Sequence, residues 1–165
     1  MRKALCLVPL LALIVAMAVA APDFSGSWSL DQSKSDPIAM GGGRGGGVAA
    51  QPANIDVKMT ISQTANELAV VRVMGERTTE MKYALDGKES KNSSGRGEVA
   101  SVCKWEGDTL VIDNKQTFTM QDGTTRETAS KEVYSLSADG KVLTITTTRT
   151  TQQGERTTKQ VYNKQ

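Results

Sequence analysis

From Ile55 onward, apolar and polar residues alternate with the period of a half-buried strand. Ile55, Val57, Met59 and Ile61 interleave with Asp56, Lys58, Thr60 and Ser62. Turn signals then recur at short intervals: Ala65-Asn66, Met74-Gly75, Asp86-Gly87, Glu106-Gly107-Asp108, Asp122-Gly123, Asp139-Gly140 and Gln153-Gly154. The segments between them are rich in valine and carry most of the chain's 18 threonines, residues that suit a pleated surface. No stretch after residue 21 repeats with the helical period. The pattern predicts an all-β fold: an antiparallel up-and-down meander of about 8–10 strands. Closure into a barrel is favoured, because an open meander of that length leaves two unpaired edges.

A short repeat runs through the meander. Gly75-Glu76-Arg77-Thr78-Thr79 recurs as Gly154-Glu155-Arg156-Thr157-Thr158, with a looser copy at Gly123-Thr124-Thr125-Arg126. Each copy follows a strand opened by an apolar pair, and each is followed by a tyrosine: Tyr83, Tyr162 and Tyr134. One hairpin plan used three times accounts for this without a duplication.

Successive strand residues point to opposite faces, so parity sorts the side chains. Met81, Tyr83 and Leu85 share a face with Arg77 and Thr79. Tyr134 and Leu136 share theirs with Arg126, Thr128, Ser130 and Glu132. Leu143 and Ile145 go with Thr147 and Arg149, Tyr162 with Arg156, Thr158 and Gln160, and Leu68 and Val70 with Arg72. Each inner face is therefore apolar toward one end of the sheet and threonine- or arginine-rich toward the other. A closed barrel would have a sealed apolar base and a mouth lined by Arg72, Arg77, Arg126, Arg149 and Arg156, with a void opening near Arg77 and Arg126. Guanidinium forks suit carboxylate or phosphate, so the expected guest is anionic or amphipathic. Its apolar part would lie against Tyr83, Tyr134 and Trp105. The alternative is that these strands outrun the core and the arginines simply face water.

The first twenty residues read differently. Arg2 and Lys3 precede the apolar run Ala4 to Val15, and Ala18-Val19-Ala20 supplies the small-x-small pattern of a cleaved export signal. The expectation is a signal peptide over 1–20, cleavage after Ala20, and one domain over 21–165, exported to the periplasm or secreted. An uncleaved anchor is the alternative. After cleavage no integral membrane segment is expected. Residues 31–54, with six glycines among 41–47, read as a flexible loop.

Composition removes whole classes of chemistry. The 165-residue chain has no histidine, which excludes Ser-His and Cys-His nucleophile pairs, and only two cysteines, Cys6 and Cys103. No metal site is expected. Of 20 basic residues, two lie in the leader, leaving 18 against 18 acidic ones, so nothing points to nucleic acid. Cys103 shares the inward parity of Val99 and Trp105, and a thiol buried there is inert. Acid pairs such as Glu76/Glu80 and Glu127/Glu132 have no spacing that specifies a glycosidase. The aspartate turns lack a calcium-loop pattern, and the glycine run lacks the Lys-Ser/Thr of a phosphate loop. No cofactor is expected, and an enzyme would have to work with Asp or Glu alone.

Phe24-Ser25-Gly26-Ser27-Trp28 resembles the opening strand of the lipocalins, whose Gly-x-Trp motif lies at the closed end of an up-and-down barrel. The resemblance implies that residues 31–54 lie where that family carries a lid over the mouth. It also implies an arginine packed across Trp28; Arg149 and Arg156 are the late-strand candidates, yet parity puts both near the mouth, and neither is assigned. The second lipocalin motif, Thr-Asp-Tyr, and the common disulfide have no counterpart. The chain is thus similar to small exported bacterial proteins with a lipocalin-like barrel, and the function expected is small-molecule binding. The alternative is an envelope structural or interaction protein whose barrel is filled by its own side chains.

Overall fold

The structure is a computed structural model that describes residues 21–38, 56–94, 97–119, 123–151 and 154–165. The expected leader, residues 1–20, and the glycine run lie outside the described residues, as does Ile55. Among the described residues there is no helix, and ten antiparallel strands form one sheet: β1 (Gly26–Leu30), β2 (Val57–Gln63), β3 (Glu67–Met74), β4 (Arg77–Ala84), β5 (Glu89–Ser93), β6 (Glu98–Glu106), β7 (Thr109–Thr119), β8 (Thr125–Leu136), β9 (Val142–Thr151) and β10 (Gly154–Lys164). Their order is β4-β3-β2-β1-β10-β9-β8-β7-β6-β5, so β1 joins the last strand and the meander curls into a nearly closed barrel.

The alternation in β2 is realised residue by residue: Val57, Met59 and Ile61 are buried while Lys58, Thr60 and Ser62 are exposed. The same inward parity gathers Leu68, Val70, Tyr83, Cys103, Leu110, Ile112, Tyr134, Leu143, Ile145 and Tyr162 into one core with Phe24 and Trp28. Tight two-residue turns set the registers; Met74 pairs with Arg77 across Gly75-Glu76, and Glu106 with Thr109 across Gly107-Asp108.

Trp28 anchors the closed end. It is 1% exposed, and its indole N–H donates to the Phe24 carbonyl at 3.0 Å. Phe24 stacks on Trp105 with centroids 5.9 Å apart and meets Tyr134 edge-on at 6.0 Å. Gly26 explains why glycine belongs two residues earlier. It sits at φ +138°, and a Cβ there would come within 2.8 Å of the Lys164 side chain. That side chain reaches past Gly26 and holds its ammonium 5.3 Å above the Trp28 ring. The cation across the tryptophan is therefore Lys164, not Arg149 or Arg156.

Two adaptations complete the wall. Beyond the five residues of β1, the segment 31–38 runs beside β10 and satisfies its backbone. Asp31 N–H donates to the Val161 carbonyl and Asp36 N–H to that of Lys159, both at 2.8 Å. In return Lys159 N–H donates to the Asp36 carboxylate at 2.7 Å and Val161 N–H to the Ser35 hydroxyl at 2.9 Å. Between β4 and β5 there is no strand pairing, and side chains bridge the seam instead. Lys82 N–H donates to Asn92 Oδ1 at 2.7 Å, Asn92 Nδ2 donates back to the Lys82 carbonyl at 2.9 Å, and Ala84 N–H donates to Ser90 Oγ at 2.7 Å.

Candidate functional site

The registers of β8, β9 and β10 stack their inner side chains in rows that change character along the barrel. From the base upward these are Leu136–Leu143–Tyr162, Tyr134–Ile145–Gln160, Glu132–Thr147–Thr158 and Ser130–Arg149–Arg156. Apolar packing gives way to hydroxyls and then to paired guanidinium groups. The lower half of the barrel is filled by its own side chains; Leu68, Leu110, Ile112, Leu143 and Tyr162 are wholly buried. The upper half is not filled. A cavity of about 430 Å³ is lined in part by Met81, Tyr83, Val99, Asn114, Gln116 and Ser130, and a second of about 230 Å³ by Ile38, Thr147, Arg156, Thr158 and Gln160. Arg72, Glu132 and Arg149 line both.

Arg72 is the centre of this arrangement. It enters from β3, beside Met59 on β2 and Thr79 on β4, and lies among Tyr162, Tyr134, Glu132 and Tyr83 from the other walls. Burial works against its charge and the nearby Glu132 carboxylate favours it; its pKa is raised, and the guanidinium stays charged. Its Nε is enclosed without a hydrogen-bond partner, and one Nη lies 4.0 Å from the Met59 sulfur. An unmatched donor inside a barrel is costly unless something accepts from it. Among the described residues the ion pairs within 4.0 Å are all made by lysines, and Arg72, Arg149 and Arg156 make none.

The tyrosines keep their protons. Burial is the main cause of the raised pKa values of Tyr83, Tyr134 and Tyr162, with Glu132 adding to it and Arg72 acting in the opposite direction. The Tyr134 hydroxyl lies 3.2 Å from Glu132 Oε2 and that of Tyr162 lies 3.2 Å from Gln160 Oε1, each donating to its neighbour. On the far wall, Ser101 Oγ donates to Asn114 Oδ1 at 2.6 Å, both residues being buried, and Gln116 Nε2 donates to Ser94 Oγ at 2.7 Å. The larger cavity therefore has a polar shelf of amide and hydroxyl groups in addition to Met81 and Tyr83.

Of the residues singled out by sequence, the structure brings Arg72, Arg149 and Tyr83 onto one cavity and Arg72, Arg149 and Arg156 onto the other, with Tyr134 beside Arg72. Arg77 and Arg126 are exposed at the open ends of their strands, opposite Met74 and Phe118, and line neither cavity. Trp105 is stacked on Phe24 at the closed end, lining a shallow depression with Asp23, Gln63 and Leu85, and does not face the upper cavities. Cys103 is buried and its thiol is pushed up to about 12, by burial first and then by Glu132 and Asp113. Among the described residues no cluster of acidic and thiol groups could hold a metal ion, and no helix is long and apolar enough to cross a membrane.

Glu132 was legible as a member of the Tyr134 face and of an acid pair with no specifying spacing, and nothing in the sequence said that it would lie near an arginine from β3. The polar shelf of Ser94, Asn114 and Gln116 carried no signal beyond its parity. The fold is that of a calycin-type barrel. No family model matches the chain, and no curated protein does. Solved structures do share its fold. Zebrafish ileal bile acid-binding protein complexed with cholic acid matches at 16% identity and a TM-score of 0.59, over 86% of this chain and 98% of that one. Lipid binding protein 8 of Caenorhabditis elegans matches at 10% identity and 0.61, over 86% and 95%. A structure described as "REP1-NXSQ fatty acid transporter" matches at 15% identity and 0.61, over 86% and 96%.

Proposed function

We propose that this protein binds a small anionic amphipathic molecule in the upper half of its barrel. The observation that carries this reading is Arg72, a half-buried guanidinium with no ion pair among the described residues and an enclosed, unmatched Nε, set between two cavities. The ligand's anionic group would accept from Arg72, with Arg149 nearby. Its body would occupy the larger cavity, whose volume of about 430 Å³ suits a small molecule. Apolar atoms would rest on Met81, Tyr83 and Val99, and polar substituents would meet Asn114, Gln116 and Ser130. The bile-acid, lipid and fatty-acid proteins that share the fold support ligand binding as its use. The filled base supports a barrel that leaves its lower half to stability, and a wholly guest-free structural role is the second reading. Export across a membrane is part of the proposal, resting on Arg2, Lys3, the apolar run and Ala18-Val19-Ala20; a mature chain beginning at Ala21 by mass spectrometry is its check.

The test replaces Arg72 with leucine. Binding of 8-anilinonaphthalene-1-sulfonate, followed by fluorescence, and its displacement by octanoate should both weaken at least tenfold, since a charge-assisted contact of roughly 1.5–3 kcal/mol is removed. The unfolding midpoint should stay level or rise, because replacing a half-buried unpaired charge with a hydrophobe is neutral or stabilising. Unchanged affinity in Arg72→Leu would refute the site.

A further inference from the structure

Two of the cavity-lining arginines stand in an arrangement that a folded chain has reason to avoid. Arg149 on β9 and Arg156 on β10 are direct cross-strand partners with the same strand parity, and both are exposed at the rim of the cavity they line. Like charges placed directly opposite each other repel and destabilise the pair. A third guanidinium, Arg72, lines the same cavity of about 230 Å³, and among the described residues the only carboxylate on its wall is Glu132. Three positive charges thus meet one negative charge, and none of the three arginines makes an ion pair within 4.0 Å among the described residues. The rest of the wall is suited to oxygen atoms, with Thr147 and Thr158 offering hydroxyls and Gln160 an amide. A single carboxylate has two oxygens and one charge, which leaves one guanidinium unmatched.

Building on the proposed site at Arg72, we infer that the anionic group it receives is a dianion, specifically the head of a phosphate monoester. Three terminal oxygens meet three guanidinium forks and the two threonine hydroxyls, and two negative charges neutralise the excess of the cavity. The ester oxygen would point past Arg72 and Glu132 toward the larger cavity, which shares both residues and would take the alcohol portion. Ile38, carried to the open end by the segment that runs beside β10, lies against the same head-group cavity and limits its height.

The test compares four ligands of similar chain length on the purified full chain by isothermal titration at pH 8: octyl phosphate, octyl sulfate, octylmalonate and octanoate. Octyl sulfate keeps the tetrahedral head and removes one charge, whereas octylmalonate keeps two charges and removes the tetrahedron. Octyl phosphate should bind about tenfold or more tightly than octyl sulfate and octanoate, and more tightly than octylmalonate. Arg156→Gln should lower the affinity for octyl phosphate several-fold more than that for octanoate. Equal affinities for octyl phosphate and octyl sulfate would overturn the dianion, and tighter binding of octylmalonate would overturn the phosphate. In either case the anion site at Arg72 would stand. Failure of all four ligands to bind would overturn both that site and the inference built on it.

Discussion

Individual residues carry much of what makes this barrel specific. Trp28 is held by three things at once: its indole hydrogen bond to Phe24, the packing of the core, and the ammonium of Lys164 above its ring. Glycine at position 26 leaves the space through which the Lys164 stem passes. Trp28→Ala should therefore cost about 3–5 kcal/mol in urea unfolding, the usual range for a large buried aromatic. A loss below about 1 kcal/mol would separate the Gly-x-Trp motif from the core. The tryptophan and its glycine were legible in the sequence. The lysine was not, because the chain's last residues reach Trp28 only once β10 has paired with β1.

At the scale of elements, periodicity delivered the strands with little distortion, since β2 and the lower parts of the longer strands have one wet and one dry face, while β4, β8 and β10 run on into stretches exposed on both. The seam between β4 and β5 was not visible in it. There the wall is joined by the Asn92 carboxamide, which supplies one acceptor and one donor to Lys82 as a neighbouring strand would. Asn92→Ala should leave β6 to β10 intact while the Lys82 amide exchanges with solvent at least tenfold faster, read by hydrogen exchange; unchanged protection would mean the seam is held elsewhere. The far end of β5 depends on a different device. Gly97 sits at φ +145°, and a Cβ there would collide with the Thr117 carbonyl oxygen on β7. No side chain fits so close to backbone, and this glycine sets where β6 can begin beside β7. Sequence showed a glycine there, but the strand that demands it lies twenty residues away.

Considered whole, the molecule places its protonated acids inside. Cys103 and the three tyrosines all have raised pKa values, with burial the first cause in each. In the unfolded chain the thiol ionises near 9.0 and the phenols near 10.0, while in the fold they remain neutral to higher pH. The folded state then binds more protons than the unfolded state, so stability is full below pH 9 and falls as pH rises through 9 toward 12. The thermal midpoint should drop steadily above pH 9, and Cys103→Ala should soften the first part of that drop. A flat profile to pH 11 would contradict the burial of these groups. The same closure that shields them also unites the site, since Arg72 on β3 reaches Glu132 on β8 only because β1 and β10 bring the two ends of the meander together.

The sequence by itself determined the all-β meander, the inward parity of nearly every core residue, the apolar base and the arginine-bearing rim, because those follow from local alternation and turn chemistry. It also singled out five arginines and put the opening of the void near Arg77 and Arg126, which line neither cavity. Arg77 and Arg156 hold the third position of the same pentapeptide repeat, and the sequence of the repeat does not tell them apart. Their cross-strand partners do: Arg77 faces Met74, whereas Arg156 faces Arg149 and joins the cavity that Arg72 enters from the opposite wall. Arg77, Arg126, Arg149 and Arg156 are all exposed, and which of them share a cavity with Arg72 depends on contacts between strands far apart in the chain, which only the closed barrel decides.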